Sequence, residues 1–225
     1  MVVYEDFLHE VTMKISNFLQ SGRSMVEMLG VLAIVGVLSV GGIAGYSKAM
    51  MKYKLNKQAQ QLNQLITAMT RYKNEWKFNE FTYLKDYYIK LGEIPKEMIK
   101  DNNTVYIYDV FGNQIYLRNN HAPMFDTTIL RIYLLGNKDF SVCQNIIQTA
   151  KEHSAVLNLF GVWYTASDSL SENNGKLFYG NSRCEPNQKC LRNITLNEIK
   201  EQCQICEDAT KNKQCSFVFS WMIDD

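Results

Sequence analysis

Hydrophobic positions change their rhythm twice along the chain. Between residues 28 and 46 the sequence MLGVLAIVGVLSVGGIAGY carries no charge at all. About nineteen residues make roughly 28 Å of helix at about 1.5 Å per residue, which matches a hydrocarbon layer of about 30 Å. A membrane-crossing helix is the element this run predicts. From Ala49 the pattern becomes AMMKYKLNKQAQQLNQLITAMTRYKNEWKF, where Leu55, Ala59, Leu62, Ile66 and Met69 recur at three- and four-residue spacing without Gly or Pro. That spacing lines one face of a helix with apolar side chains and continues the first helix as an amphipathic one. A single helix over residues 24–74 would be about 75 Å long, more than a compact domain of this size encloses.

After Phe78 the period shortens. The segment FTYLKDYYIKLGEIPKEMI predicts a second amphipathic helix ending near Leu91 and Gly92, followed by a turn at Ile94 and Pro95. Residues 105–108, 114–118 and 127–134 are rich in β-branched and aromatic side chains and read as strands, the first two flanking a turn at Gly112 and Asn113. Residues 139–153 predict a helix, 162–166 and 176–179 further strands, 196–206 a helix and 216–222 a last strand. The fold class that follows is α+β: a long N-terminal helix, membrane-spanning in its first half and amphipathic in its second, packed on a small antiparallel sheet domain.

Composition supports a folding chain, with 46% apolar and 21% charged residues among 225. The net charge of +1 is spread through the sequence. No basic face invites nucleic acid and no acidic tail is present. All six cysteines lie in the second half, five of them between Cys184 and Cys215. An even, clustered set points to disulfides in an oxidising compartment. Cys203 and Cys206 form a CxxC, which could also be a redox pair or, with Cys184 and Cys190, a zinc site. The βαβ context of a thioredoxin-like pair is missing, and the Cys184 to Cys190 spacing is long for a zinc knuckle, so structural bridges are expected. Spacing alone leaves their connectivity open.

Catalytic patterns are sparse. His121 and His153 are the histidines beyond residue 22, and the sequence has no HExxH, no G-x-S-x-G and no phosphate-cradling glycine loop. Neither an enzymatic activity nor a cofactor or metal is expected. Asp168, Ser169 and Ser171 suit a polar turn. Asp86, Tyr87 and Tyr88 suit an amphipathic helix, and Asn193-Ile194-Thr195 matches an N-glycosylation acceptor. The glycines at 30, 36, 41, 42 and 45 suit close helix packing, and each also weakens the helix by about 1 kcal/mol relative to Ala.

Glu27 stands immediately before the apolar run. A carboxylate at the membrane centre costs roughly 2.5 to 3.5 kcal/mol on insertion scales, so it needs a partner or a place at the interface. The stretch Gly22-Arg23-Ser24-Met25-Val26-Glu27, followed by an apolar run, resembles the processing site of type IV prepilins, in which a dedicated peptidase cuts after Gly and the fifth mature residue is Glu. The resemblance implies cleavage between Gly22 and Arg23, an N-methylated Arg23 at the mature terminus, and Glu27 neutralising the terminal ammonium of a neighbouring subunit. Two unit charges about 4 Å apart attract by about 4 kcal/mol at an effective dielectric near 20, which offsets a desolvation cost of that size.

The segments LGEIPKEMI, VFGNQIYL and TTILRIYLLGNKDFSVCQNII resemble the type IVb pilin class in order and character, so the likeness covers roughly residues 22–150. In that class one disulfide ties the Cys-bearing helix to a strand near the C-terminus, which implies Cys143 bonded to Cys215. A loop of about seventy residues closed in this way contributes roughly 4 kcal/mol in the chain-entropy model.

Two positions depart from the family's pattern. Arg23 stands where an aromatic residue or Met is usual, and Glu5, Asp6 and Glu10 stand in a leader that is usually short and basic. A start at Met13 would leave a ten-residue leader with Lys14 and no acid.

The expected organisation is a leader over 1–22, a long helix over 23–78 with 25–46 as its membrane or filament core, and a head domain over 79–225 with a Cys-rich region at 184–215. The resemblance implies a filament subunit whose partners are like subunits, the prepilin peptidase, the inner membrane before assembly and the inner-membrane assembly machinery, with final display outside the cell. A pseudopilin of a secretion apparatus has the same outline. An uncut chain would instead be a membrane-anchored periplasmic binding or redox module.

Overall fold

The computed structural model describes residues 2–75, 81–100, 104–121, 126–134, 139–163, 175–208 and 215–223, with the backbone alone at 2–24, 120, 121, 126, 175 and 208. The chain divides into two units, Met1–Lys52 and Tyr53–Asp225.

Helix α1 runs Val2–Tyr72. It begins well before the predicted start at Ser24, because residues 2–21 contain neither Gly nor Pro to interrupt it. In the first unit every described side chain from Met25 to Ala49 is exposed. In the second unit the helix acquires a buried stripe of Gln58, Gln61, Leu62, Leu65, Ile66 and Met69. The predicted Leu55 and Ala59 are half-buried. The stripe follows the three- and four-residue spacing that places side chains on one helix face.

The second unit is built on one antiparallel sheet. Strands β1 (Thr82–Tyr83), β2 (Ile107–Tyr108), β3 (Gln114–His121), β4 (Asp126–Leu134), β5 (Leu159–Trp163), β6 (Gly175–Tyr179) and β7 (Cys215–Met222) join in the order β1-β3-β4-β7-β5-β6, with β2 also paired to β3. Among the described residues three α-helices accompany it: α2 (Lys85–Lys90), α3 (Phe140–Glu152) and α4 (Leu196–Asp208). The predicted second helix shrinks to α2 because Thr82 and Tyr83 pair with Asn119 and Arg118 instead of coiling. It stops at Gly92, whose φ of 74° is a conformation that favours glycine. Strand β5 begins three residues before its predicted start, and residues 164–166 of that prediction lie outside the described residues.

Strand alternation sorts the side chains onto two faces. Leu130, Ile132, Phe217, Phe219, Phe160 and Val162 enter the main core with the α1 stripe, α3 and α4. Tyr116, Ile129, Trp163 and Val218 form a second buried cluster, and the strand register places them on the opposite face. Last to enter and central in the sheet, β7 is buried along its whole length.

All six cysteines of the chain are bonded. Cys143 on α3 pairs with Cys203 on α4, Cys206 on α4 pairs with Cys215 on β7, and Cys184 pairs with Cys190. The pairing of Cys143 with Cys215 is therefore corrected. Helix α4 carries the linkage between α3 and β7 through two separate bonds, with Cα separations of 5.6 and 5.4 Å.

Candidate functional site

The polar groups of α1 locate its docking in the second unit. Gln58 Nε2 donates to Asp109 Oδ2 at 2.7 Å, Asn145 Nδ2 of α3 donates to Gln58 Oε1 at 2.9 Å, and the Val110 amide donates to Gln61 Oε1 at 3.0 Å. Further along, Trp221 Nε1 of β7 donates to Thr70 Oγ1 at 3.0 Å. Buried amides paired in this way fix the rotation and register of a helix that apolar packing alone would leave free to slide.

The first unit presents the opposite surface. One 18-residue window within Met25–Tyr72 has a mean hydropathy of 2.2 and no buried residue, so among the described residues there is one helix long and apolar enough to cross a membrane. Glu27 is its sole acid before Tyr46 and lies exposed on α1. A Cβ added at Gly30, Gly36, Gly41, Gly42 or Gly45 would meet no atom within 4 Å. Gly41 and Gly45, one helical turn apart, leave a small-residue face of the kind that lets helices approach closely. Ser39 is the one serine within the apolar run, and its Oγ donates to the Val35 carbonyl at 2.6 Å, so its proton is satisfied within the helix. Gly22 and Arg23 lie within α1, where only the backbone is described.

Compared with protein-family models, curated proteins and solved structures, the chain matches none. Function therefore has to be argued from the residues and the geometry.

Cys203 and Cys206 bond to different partners and not to each other. Among the described residues no group of three or more His, Cys, Asp or Glu is placed to hold a metal ion. His153 caps the end of α3 and shares a 2.8 Å hydrogen bond with Asn63 Oδ1, and burial pushes its imidazole pKa down. The His121 side chain, Asp168, Ser169 and Ser171 lie outside the described residues. Asp86 and Tyr87 are exposed on α2, while Tyr88 is fully buried.

Thr195 has a structural task within the Asn193-Ile194-Thr195 motif. The Glu198 amide donates to Thr195 Oγ1 at 3.2 Å, and the Thr195 amide donates back to Glu198 Oε2 at 2.9 Å. This reciprocal capping box starts α4, and the Thr195 amide holds the Glu198 carboxyl below the usual range.

Proposed function

We propose that the chain is a subunit of a type IV pilus-like filament, held in the bacterial inner membrane before assembly and displayed outside the cell after it. The observation that carries the reading is an apolar helical segment, exposed throughout, whose acid stands five residues after a glycine. Membrane lipid would cover that segment in the free subunit, and the corresponding helices of neighbouring subunits would cover it in the filament. Arg23 would supply the terminal ammonium after cleavage at Gly22, and Glu27 the charge that meets it on the next subunit. An ion pair formed only in the correct axial register stabilises that register and penalises others, since a carboxylate left buried without a partner is strongly unfavourable. The bridged head domain would tolerate an oxidising exterior.

Intact mass and N-terminal sequencing of protein recovered from membranes and from sheared surface material test the reading. The expected chain begins at Arg23 in both fractions, and Glu27→Ala remains in the membrane while disappearing from the sheared fraction. An uncut chain confined to the membrane overturns the filament reading and favours an anchored module. Normal filaments from the Glu27→Ala variant would remove the charge-pairing account alone.

A further inference from the structure

Just past the apolar run, α1 turns basic. Lys48, Lys52, Lys54 and Lys57 fall within ten residues, and no Asp or Glu occurs between residues 28 and 74. The last two lysines are engaged within the second unit: Lys54 Nζ lies 6.0 Å over the Phe111 ring, and Lys57 Nζ pairs with Glu97 Oε1 at 2.8 Å. Lys48 and Lys52 are different. Both are exposed in the first unit, and neither enters an ion pair among the described residues. Their i, i+4 spacing puts them on one face of the helix, one turn apart.

Their height above the hydrocarbon follows from the helical rise. With residues 28–46 filling the apolar layer, Lys48 stands about 3 Å and Lys52 about 9 Å beyond its edge, at about 1.5 Å per residue. The polar headgroup layer is about 5 to 7 Å deep on each side. A lysine stem bends along a helix to carry its ammonium towards the interface, so both charges reach the level of the lipid phosphates. Tyr46, exposed at the end of the run, sets its amphipathic ring at the boundary itself. A basic flank is ordinarily kept on the cytoplasmic side. Here the flank leads into a disulfide-bonded unit, and such bonds form in oxidising compartments, so the charge is to be met on the exported side.

We infer that Lys48 and Lys52 bind the headgroups of anionic phospholipids where α1 leaves the membrane. The occupant follows from charge and from continuity: the pair directly extends the segment that lipid would cover, and the sequence places no carboxylate nearby to neutralise it. The chain as a whole carries a net charge of only +1, so a preference for anionic lipid comes from this local pair and not from the pull of the whole protein. The inference rests on the apolar segment lying in a membrane, which the filament proposal requires before assembly and which an uncut anchored module shares. It depends neither on cleavage at Gly22 nor on Glu27.

The test places full-length protein in dodecyl maltoside micelles doped with equal amounts of phosphatidylglycerol and phosphatidylcholine of the same acyl chains, and native mass spectrometry counts the lipids each protein retains. Phosphatidylglycerol adducts are expected to exceed phosphatidylcholine adducts about fivefold or more, since one lysine at an anionic surface is worth about fivefold in partitioning. Lys48→Gln/Lys52→Gln is expected to lower that ratio at least threefold. Lys176→Gln/Lys200→Gln, which removes two exposed charges from the second unit, is expected to leave it unchanged. A ratio near one for the unaltered chain, a ratio unmoved in the Lys48/Lys52 variant, or an equal loss in the Lys176/Lys200 variant would each overturn the inference. Protein that retains neither lipid and stays soluble without detergent would overturn the membrane reading and this inference with it. The comparison of the two lipids on the unaltered chain decides the matter even where a variant does not fold.

Discussion

Asp109 connects distant parts of the second unit through one buried carboxylate. Oδ1 accepts from the amides of Phe111 and Asn113 at 2.9 and 2.8 Å, and Oδ2 accepts from Gln58 Nε2 and Asn113 Nδ2 at 2.7 and 2.9 Å. The first pair shapes the turn in which Gly112 adopts a φ of 83°, and the second fastens that turn to α1. Removing the carboxylate leaves several buried donors unmet, so Asp109→Ala is expected to lower unfolding stability by about 3 to 5 kcal/mol. Urea titration checks this: a midpoint shift worth less than about 1 kcal/mol at unchanged slope would show that the turn holds without its carboxylate. The turn itself was legible in the sequence, since Gly112 and Asn113 flanked by β-rich runs announce it. The role of Asp109 was not, because its partner Gln58 lies 51 residues away and nothing local marks the pair. Thr195 is the reverse case. Its Thr-x-x-Glu spacing is the sequence signature of a capping box, so the start of α4 could have been read as a cap rather than as a glycosylation acceptor.

At the scale of elements, α4 is the member on which the cysteine framework depends. Its i and i+3 cysteines bond outward in two directions, to α3 and to β7, so a CxxC on a helix acts here as a double tether. Strand and helix positions followed from hydrophobic period, because each side chain's burial repeats locally. Disulfide partners did not, because they depend on α4 joining α3 and β7, a long-range arrangement that no spacing encodes. The loops closed by Cys143–Cys203, Cys206–Cys215 and Cys184–Cys190 span 60, 9 and 6 residues. In the chain-entropy model these contribute about 4, 2.5 and 2 kcal/mol respectively. Pairwise replacement by Ala is therefore expected to destabilise most at Cys143 and Cys203 and least at Cys184 and Cys190, measured by urea unfolding of each double variant. A Cys143→Ala/Cys203→Ala protein no less stable than the other two would refute the loop-length account. Peptide mapping without reduction checks the connectivity directly.

At the scale of the whole molecule, the two units differ in what stabilises them. Every member of the main core lies at Leu62 or beyond, joined by the half-buried Leu55 at its edge. The described side chains from Met25 to Ala49 bury nothing within the chain. Deleting residues 1–52 therefore removes no core contact and no cysteine, and it leaves α1 about twenty residues long with its buried stripe intact. The truncated protein 53–225 is expected to fold with the same three disulfides, to remain soluble without detergent, and to unfold within about 1 kcal/mol of the full chain, the range expected when only surface is lost. Size-exclusion chromatography, circular dichroism melting and a non-reducing peptide map check these outcomes. Aggregation or loss of the cooperative transition would show that the exposed helix supports the head domain. If the truncated protein folds, its apolar segment serves no internal purpose, since a free helix surface of mean hydropathy 2.2 is unfavourable in water and brings the core no compensation. Its retention would then have to be explained by what covers it outside the chain, lipid or a neighbouring helix, and the Glu27 variant separates those two environments.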